Sequence, residues 1–237
     1  EIMPSLVGSE MCIRDSPHRG IETISYVSRG KMVHRDSLGN EAGISDGEVQ
    51  WMNSGSGIMH EEMVPAAERL LGVQLWLNLP AKDKMSKPSY NSIKNEDIKE
   101  IEIEGGKIRL LAGKYGEHEG YKGDYLSMDY YDIHLNADAE VTLTMEEDDS
   151  VMVFTLLGDV YIDGEHIEEK TAVKLTEGDS LTIKNGNEKA QVLYMNSRAL
   201  NEPVAWAGPI VMNTQEELQK AFLELRSNTF IKETAEY

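Results

Sequence analysis

Along most of the chain, apolar and polar residues alternate over short runs, the period of a strand with one face covered. Glu22 to Val27 and Glu48 to Met52 are rich in β-branched and aromatic residues, and Leu71 to Leu77 is apolar almost throughout, as in a strand covered on both faces. Further strands are predicted over 107–111, 125–133, 141–144, 151–156, 160–162, 172–175, 180–183 and 191–194. Turn pairs punctuate them: Gly39-Asn40, Asp46-Gly47, Asp163-Gly164, Glu177-Gly178 and Asn185-Gly186. Many short strands at this spacing predict an all-β chain built as a barrel or sandwich. The period changes near the end. Thr214 and Glu217 have the spacing of a capping box, and Leu218, Ala221, Phe222 and Leu225 recur at helical spacing, so a packing helix is predicted there.

A weak repeat divides the chain. Gly30 followed by "ISDGEVQWMNSG" matches Gly158 followed by "LTEGDSLTIKNG", which sets Gly47 against Gly178. Two related β modules are therefore expected, over residues 1–105 and 106–237, with the terminal helix in the second. Pro88 to Glu104 is polar and charge-rich and reads as a connector. Residues 1–16 show no steady period and read as a non-native, adaptor-derived leader, which would make Cys12 foreign and leave Ser16 where another residue belongs.

Composition narrows the choice of partners. The 237 residues are 40% hydrophobic and 27% charged, as in soluble globular domains, and no apolar run reaches membrane-span length. A formal net charge of -19 disfavours nucleic acid and anionic membranes as direct partners. A single cysteine rules out an internal disulfide and points to a reducing, cytoplasmic setting.

The candidate chemistry lies in the first module. On a strand, His60 and Glu62 face the same way, and so do Ser16 and His18. Two neighbouring strands could then direct imidazoles and a carboxylate into a barrel, a donor set that suits non-haem Fe(II). A histidine two residues from a glutamate is also common in ordinary sheets, so spacing alone leaves metal binding and plain hydrogen bonding both open. Gly55 and Gly57, just before His60, permit a tight backbone approach. His34, His118, His134 and His166 have no paired ligand in the sequence and read as structural or solvated.

The stretches "PHRGIETISYV", "GKMVHRDSLGN" and "GEVQWMNSGSGIMHEEM", with the later "LGDVYI", "EGDSLTI" and "GPIVMNTQEELQKAFLELR", resemble the pirins, a group of tandem cupin proteins, from residue 17 to the end. The resemblance implies two tandem cupin (double-stranded β-helix, jelly-roll) barrels with a C-terminal helix, the second barrel degenerate. It carries metal ligation onto His18, His60 and Glu62. Ser16 falls where the family has a further histidine, which is why the set looks one ligand short. Fe(II) is the expected ion, another divalent transition metal the alternative. The implied activity is that of a quercetin 2,3-dioxygenase on a flavonol-like aromatic substrate, with Glu62 as catalytic base as well as ligand and Glu22 as a supporting acceptor. Trp51, Met52 and Met59 would line an apolar pocket or pack in the core. The resemblance equally allows a metal-dependent, redox-sensing regulator that binds a protein partner, or a structural metal in a protein whose substrate is not a flavonol. Aligned through the repeat, the second module has Thr144, Glu146, Gln191 and Leu193 at the ligand positions and reads as scaffold.

Overall fold

The computed structural model describes the backbone of residues 11–234 and the side chains from Ser16 onward. The first strands are β1 (Met11–His18), β2 (Ile21–Arg29), β3 (Lys31–Asp36), β4 (Glu41–Ser45), β5 (Glu48–Asn53), β6 (Ile58–Val64), β7 (Leu71–Asn78) and β8 (Ser89–Ile93). They form two sheets, ordered β1-β6-β3-β4 and β7-β2-β5-β8. Next come β9 (Lys99–Ile103), β10 (Gly106–Ala112), β11 (Lys114–Tyr115), β12 (His118–Glu119), β13 (Met128–Leu135), β14 (Glu140–Thr144), β15 (Asp149–Leu157), β16 (Val160–Ile162), β17 (Glu165–Ile167), β18 (Ala172–Lys174), β19 (Ser180–Asn185) and β20 (Ala190–Arg198). Their main sheets run β18-β15-β20-β13-β10-β9 and β14-β19-β16-β17. The chain ends with β21 (Ala205–Ala207), β22 (Ile210–Met212) and the helix α1 (Gln215–Arg226). The expected all-β architecture with one terminal helix is present. Among the described residues no helix is long and apolar enough to cross a membrane.

Two compact units result, one holding the chain up to Asn95 together with everything from Asn201 on, the other Glu96–Leu200. The break therefore comes before the expected 105/106, and the helix belongs with the first unit rather than the second. Side-chain chemistry shows why. Leu218 and Ala221 on α1 pack with Ala205, Ile210, Met212 and Phe230 into one apolar cluster. This cluster is tied back to the start of the chain: Val211 N–H donates to the Arg19 carbonyl, and the buried Lys84 ammonium donates to the carbonyls of Gly20 and Val211 and to Asn78 Oδ1. The helix start is the predicted capping box, with Glu217 N–H donating to Thr214 Oγ1 and Thr214 N–H to Glu217 Oε2. The segment expected as a connector, Pro88 to Glu104, instead supplies β8 and β9, which lie at the edges of their sheets. Edge strands tolerate the polar composition that hid them.

The two units repeat one topology. β2 lies between β7 and β5 as β15 lies between β20 and β18, and β6 lies between β1 and β3 as β19 lies between β14 and β16. Gly178, just before β19, thus corresponds to the turn before β6, not to Gly47. The counterparts of His60 and Glu62 fall on β19, where the buried residues are Leu181, Ile183 and Asn185, and not on Gln191 and Leu193. Leu181 and Ile183 join Val141, Leu143, Val151, Val153, Val192 and others in a continuous apolar core, so the second barrel is filled with hydrocarbon at the level where the first carries histidines.

Candidate metal centre

β6 organises the site. Its residues alternate buried and half-buried, so Ile58, His60, Glu62 and Val64 point inward and Met59 outward. On one flank β1 sets Ser16 opposite His60 and His18 opposite Ile58, while on the other β3 sets His34 opposite Glu62 and Asp36 opposite His60. The turn after His18 passes through Gly20 at φ 78°, where a Cβ would collide with the Val211 carbonyl. Three adjacent strands thus bring His18, His34, His60 and Glu62 to one inner wall, all buried.

The rings of His18 and His60 lie 4.8 Å apart, centroid to centroid, and those of His34 and His60 5.4 Å. Candidate ligand atoms of His34, His60 and Glu62 all lie within 4.8 Å of one another. The opposite sheet holds the carboxylate: Gln50 Nε2 donates to Glu62 Oε1 at 2.5 Å, and Gln74 Nε2 donates to Oε1 and Oε2 at 3.1 and 3.2 Å. His34 is fixed by a 2.9 Å bond from Nε2 to Asp36 Oδ2 and by stacking on Tyr90 at 4.3 Å, with planes 14° apart. Ser16 Oγ lies 3.1 Å from His18 Nε2. At the edge of the group Trp76, 40% exposed, meets the His18 ring edge-on at 5.5 Å, and its Nε1–H donates to Gln74 Oε1 at 3.3 Å.

Electrostatics favour ligation. Burial lowers the pKa of His18 to about 4, against an opposing effect of the Pro209 carbonyl. His60 falls to about 3, through burial first and then the neighbouring His18 and His34. Both are neutral near pH 7 and so offer lone pairs rather than positive charge. Burial pushes the Glu62 carboxyl up, while His34, Gln74, Gln50 and Ser25 pull it back. The Nδ1 atoms of His34 and His60 are buried with no hydrogen-bond partner. Neutral imidazoles, a buried carboxylate and unused ring nitrogens form a donor set that fits a divalent transition metal.

The three residues singled out in the sequence, His18, His60 and Glu62, come together here. His34, expected to be structural or solvated, lies fully buried in the same group. Its alternating His34-x-Asp36 was a signal of inward orientation, but only the pairing of β3 with β6 reveals where it points. His134 and His166, in the second unit, are bound to Asp132 and Asp159 at 2.8 and 3.0 Å. Trp51 and Met52 are fully buried, and Glu22 is buried on β2.

The pirin family profile matches residues 4–77, and that of the pirin C-terminal cupin domain matches residues 130–231. A Thermoplasma acidophilum protein provisionally named a quercetin 2,3-dioxygenase is 35% identical over 237 aligned residues, covering 91% of each chain. Human pirin is 35% identical over 223 residues, covering 90% of this chain and 76% of its own. A crystal structure of a quercetin 2,3-dioxygenase from Acinetobacter baumannii superposes with a TM-score of 0.88 at 32% identity, covering 96% of this chain and 83% of that one. Two β barrels in tandem, the first alone among the described residues bearing a histidine–carboxylate cluster, define a two-barrel cupin. Within that class the chain belongs to the pirin family.

Proposed function

We propose that the first barrel holds a single Fe(II) ion through His18, His60 and Glu62, with His34 beside them, and that the protein opens a flavonol-like aromatic substrate with dioxygen, in the manner of a quercetin 2,3-dioxygenase. One observation carries the reading: ligand atoms of His34, His60 and Glu62 approach to within 4.8 Å in a buried interior, and the His18 ring lies 4.8 Å from that of His60, so the ion would sit among all four residues. The similarity to proteins named for quercetin dioxygenation supports the substrate class. When bound, the ion supplies Lewis acidity toward a substrate hydroxyl and redox chemistry toward oxygen. The chain's own groups do the rest. Glu62, its carboxyl pushed up by burial, is suited to take the proton of that hydroxyl, while Gln50 and Gln74 fix its orientation. His18 and His60 stay neutral. Trp76, partly exposed beside His18, offers a planar wall to an aromatic ring. A reducing, cytoplasmic setting suits a ferrous ion.

The test is to load the protein with Fe(II), add quercetin in air, and follow flavonol absorbance and oxygen uptake together. Metal-dependent loss of both signals, abolished by His60→Ala, is expected. Tight metal binding with no consumption of either reactant would overturn the dioxygenase reading and favour the regulator.

A further inference from the structure

The second unit contains a cavity of about 450 Å³, walled by the starts of β13 and β15 and the end of β20. Tyr194, Asn196 and Arg198 alternate along β20 and so share a face, and Tyr194 is part of the core, so that face is the inner one. Across the ladders, Asp129 lies opposite Asn196 and Asp149 opposite Arg198. All four residues line the cavity.

Their charges do not satisfy one another. Among the described residues the Arg198 guanidinium has no hydrogen bond or ion pair, although a carboxylate stands opposite it on the neighbouring strand. Asp149 Oδ2 accepts only the Glu146 N–H, and Asp129 Oδ1 accepts the Lys114 N–H. Asn196 is buried with its side chain hydrogen-bonded to the Tyr194 hydroxyl, but its Oδ1 has no hydrogen-bond partner. Burial pushes the Asp129 carboxyl up, hydrogen bonds from the Lys114 N–H and the Tyr131 hydroxyl pull it back, and the nearby Asp149 adds a smaller upward push. A buried amide oxygen without a partner costs about 1–3 kcal/mol unless something fills the role.

These groups select a ligand chemistry. An anion would face two carboxylates, and a bare divalent cation would face a guanidinium. A molecule with both charges satisfies the set. We propose that this cavity binds a free amino acid, its ammonium held by Asp129, Asp149 and Asn196 Oδ1 and its carboxylate by Arg198. An ammonium has three N–H donors for these three acceptors, and a guanidinium takes a carboxylate through two parallel bonds. The volume falls within the usual range of small-molecule sites, and Tyr125 and Met128 give the wall an apolar edge for a side chain.

The experiment is calorimetric titration and thermal melting of the full chain with proteinogenic amino acids, singly, at about 5 mM. The methyl ester and N-acetyl form of any binder are then titrated, because each removes one charge. At least one amino acid is expected to bind, with each derivative weaker by about tenfold or more. Arg198→Gln, at an exposed position, and Asp149→Asn are each expected to weaken binding by a similar factor without lowering the melting temperature. Binding should survive His60→Ala, since the two sites lie in different units. The proposal is overturned if no amino acid gives heat or a melting shift. It is equally overturned if binding ignores Arg198→Gln, or if Ca2+ or Mg2+ titrated alone binds these carboxylates where amino acids do not.

Discussion

Arg19→Met tests how the C-terminal segment is fastened to the site-bearing barrel. Arg19 follows His18 and is almost fully buried. Its Nε–H donates to the Ser56 carbonyl at 2.7 Å and its Nη2–H to the Phe230 carbonyl at 2.8 Å. Nη2 also pairs with Glu224 Oε2 at 2.8 Å, and the guanidinium carbon lies 4.2 Å from the centre of the Phe230 ring. Methionine keeps the aliphatic stem and removes every one of these polar contacts. Two carbonyls lose charged donors, at about 1–3 kcal/mol each. Glu224 is left in part to Lys232, which lies at 3.0 Å. Relief of the guanidinium's own desolvation offsets some of the loss, and breaking one side of such a buried arrangement costs about 3–5 kcal/mol in all. For a chain of this size that is a fall in melting temperature on the order of 10 °C. Urea unfolding of the wild type, Arg19→Met, Glu224→Gln and the double variant gives the coupling directly. Glu224→Gln alone should cost about 1 kcal/mol or less, because Lys232 and the two carbonyl bonds set its bounds. A loss below about 1 kcal/mol for Arg19→Met would refute the reasoning, since it would mean that water or neighbouring groups replace the guanidinium freely.

Ser16→His places an imidazole opposite His60 and should tighten Fe(II) or Zn(II) binding by about tenfold or more in competition with a chelator; unchanged affinity would count against the ligand assignment. Gln74→Leu removes its own bonds to both Glu62 oxygens, leaving Gln50 on Oε1 alone, and the anchor of Trp76, so metal affinity should fall about 10–100-fold and the Trp76 fluorescence should change with it. For pH, burial lowers His18 to about 4 and His60 to about 3, below the ordinary 6.5. As pH falls the unfolded chain takes up these protons first, so the metal-free protein keeps this stability above 6.5 and loses it progressively toward about 3. The urea midpoint at about pH 5 should be below that at about pH 7, and by less in His60→Leu; an equal drop in both would show that other groups govern the acid limb.

What could be read from the sequence was what has a local period. The strand at Lys107 to Leu111, the Thr214 capping box and the inward pair His60 and Glu62 each show their orientation within a few residues. What could not be read depended on which strand neighbours which. His34 points at His60 because β3 pairs with β6, and nothing within "KMVHRD" names that partner. The apolar face of α1 likewise does not say which unit it will cover. β8 and β9 were hidden because edge strands carry the polar residues of loops. β1 escaped notice because residues 11–18 have no strand period, yet the backbone pairs with β6 along most of its length. The repeat was set one turn out of register because acidic-glycine pairs mark several turns, and only the ladders distinguish the turn before β5 from the turn before β19.

The two barrels put the same topological position to opposite uses, and that explains where the C-terminal segment goes. On β19 the inward places hold Leu181 and Ile183, each contributing about 1.5–3 kcal/mol by burial. On β6 they hold His60 and Glu62, which give no such return and must be desolvated and hydrogen-bonded. The first unit therefore needs apolar contact from elsewhere. It gets this from β21, β22 and α1, whose cluster of Ile210, Met212, Leu218, Ala221 and Phe230 belongs to that unit. The fastening is closest beside the site: Arg19 adjoins His18, and Gly57 at φ 137° lets the chain before His60 pass against the Phe230 ring. If the polar wall is what makes this support necessary, replacing it should reduce the dependence. A His60→Leu, Glu62→Leu chain should tolerate Arg19→Met with a smaller loss of stability than the wild type does. Equal losses in the two backgrounds would mean that the C-terminal segment stabilises the barrel independently of what its interior contains.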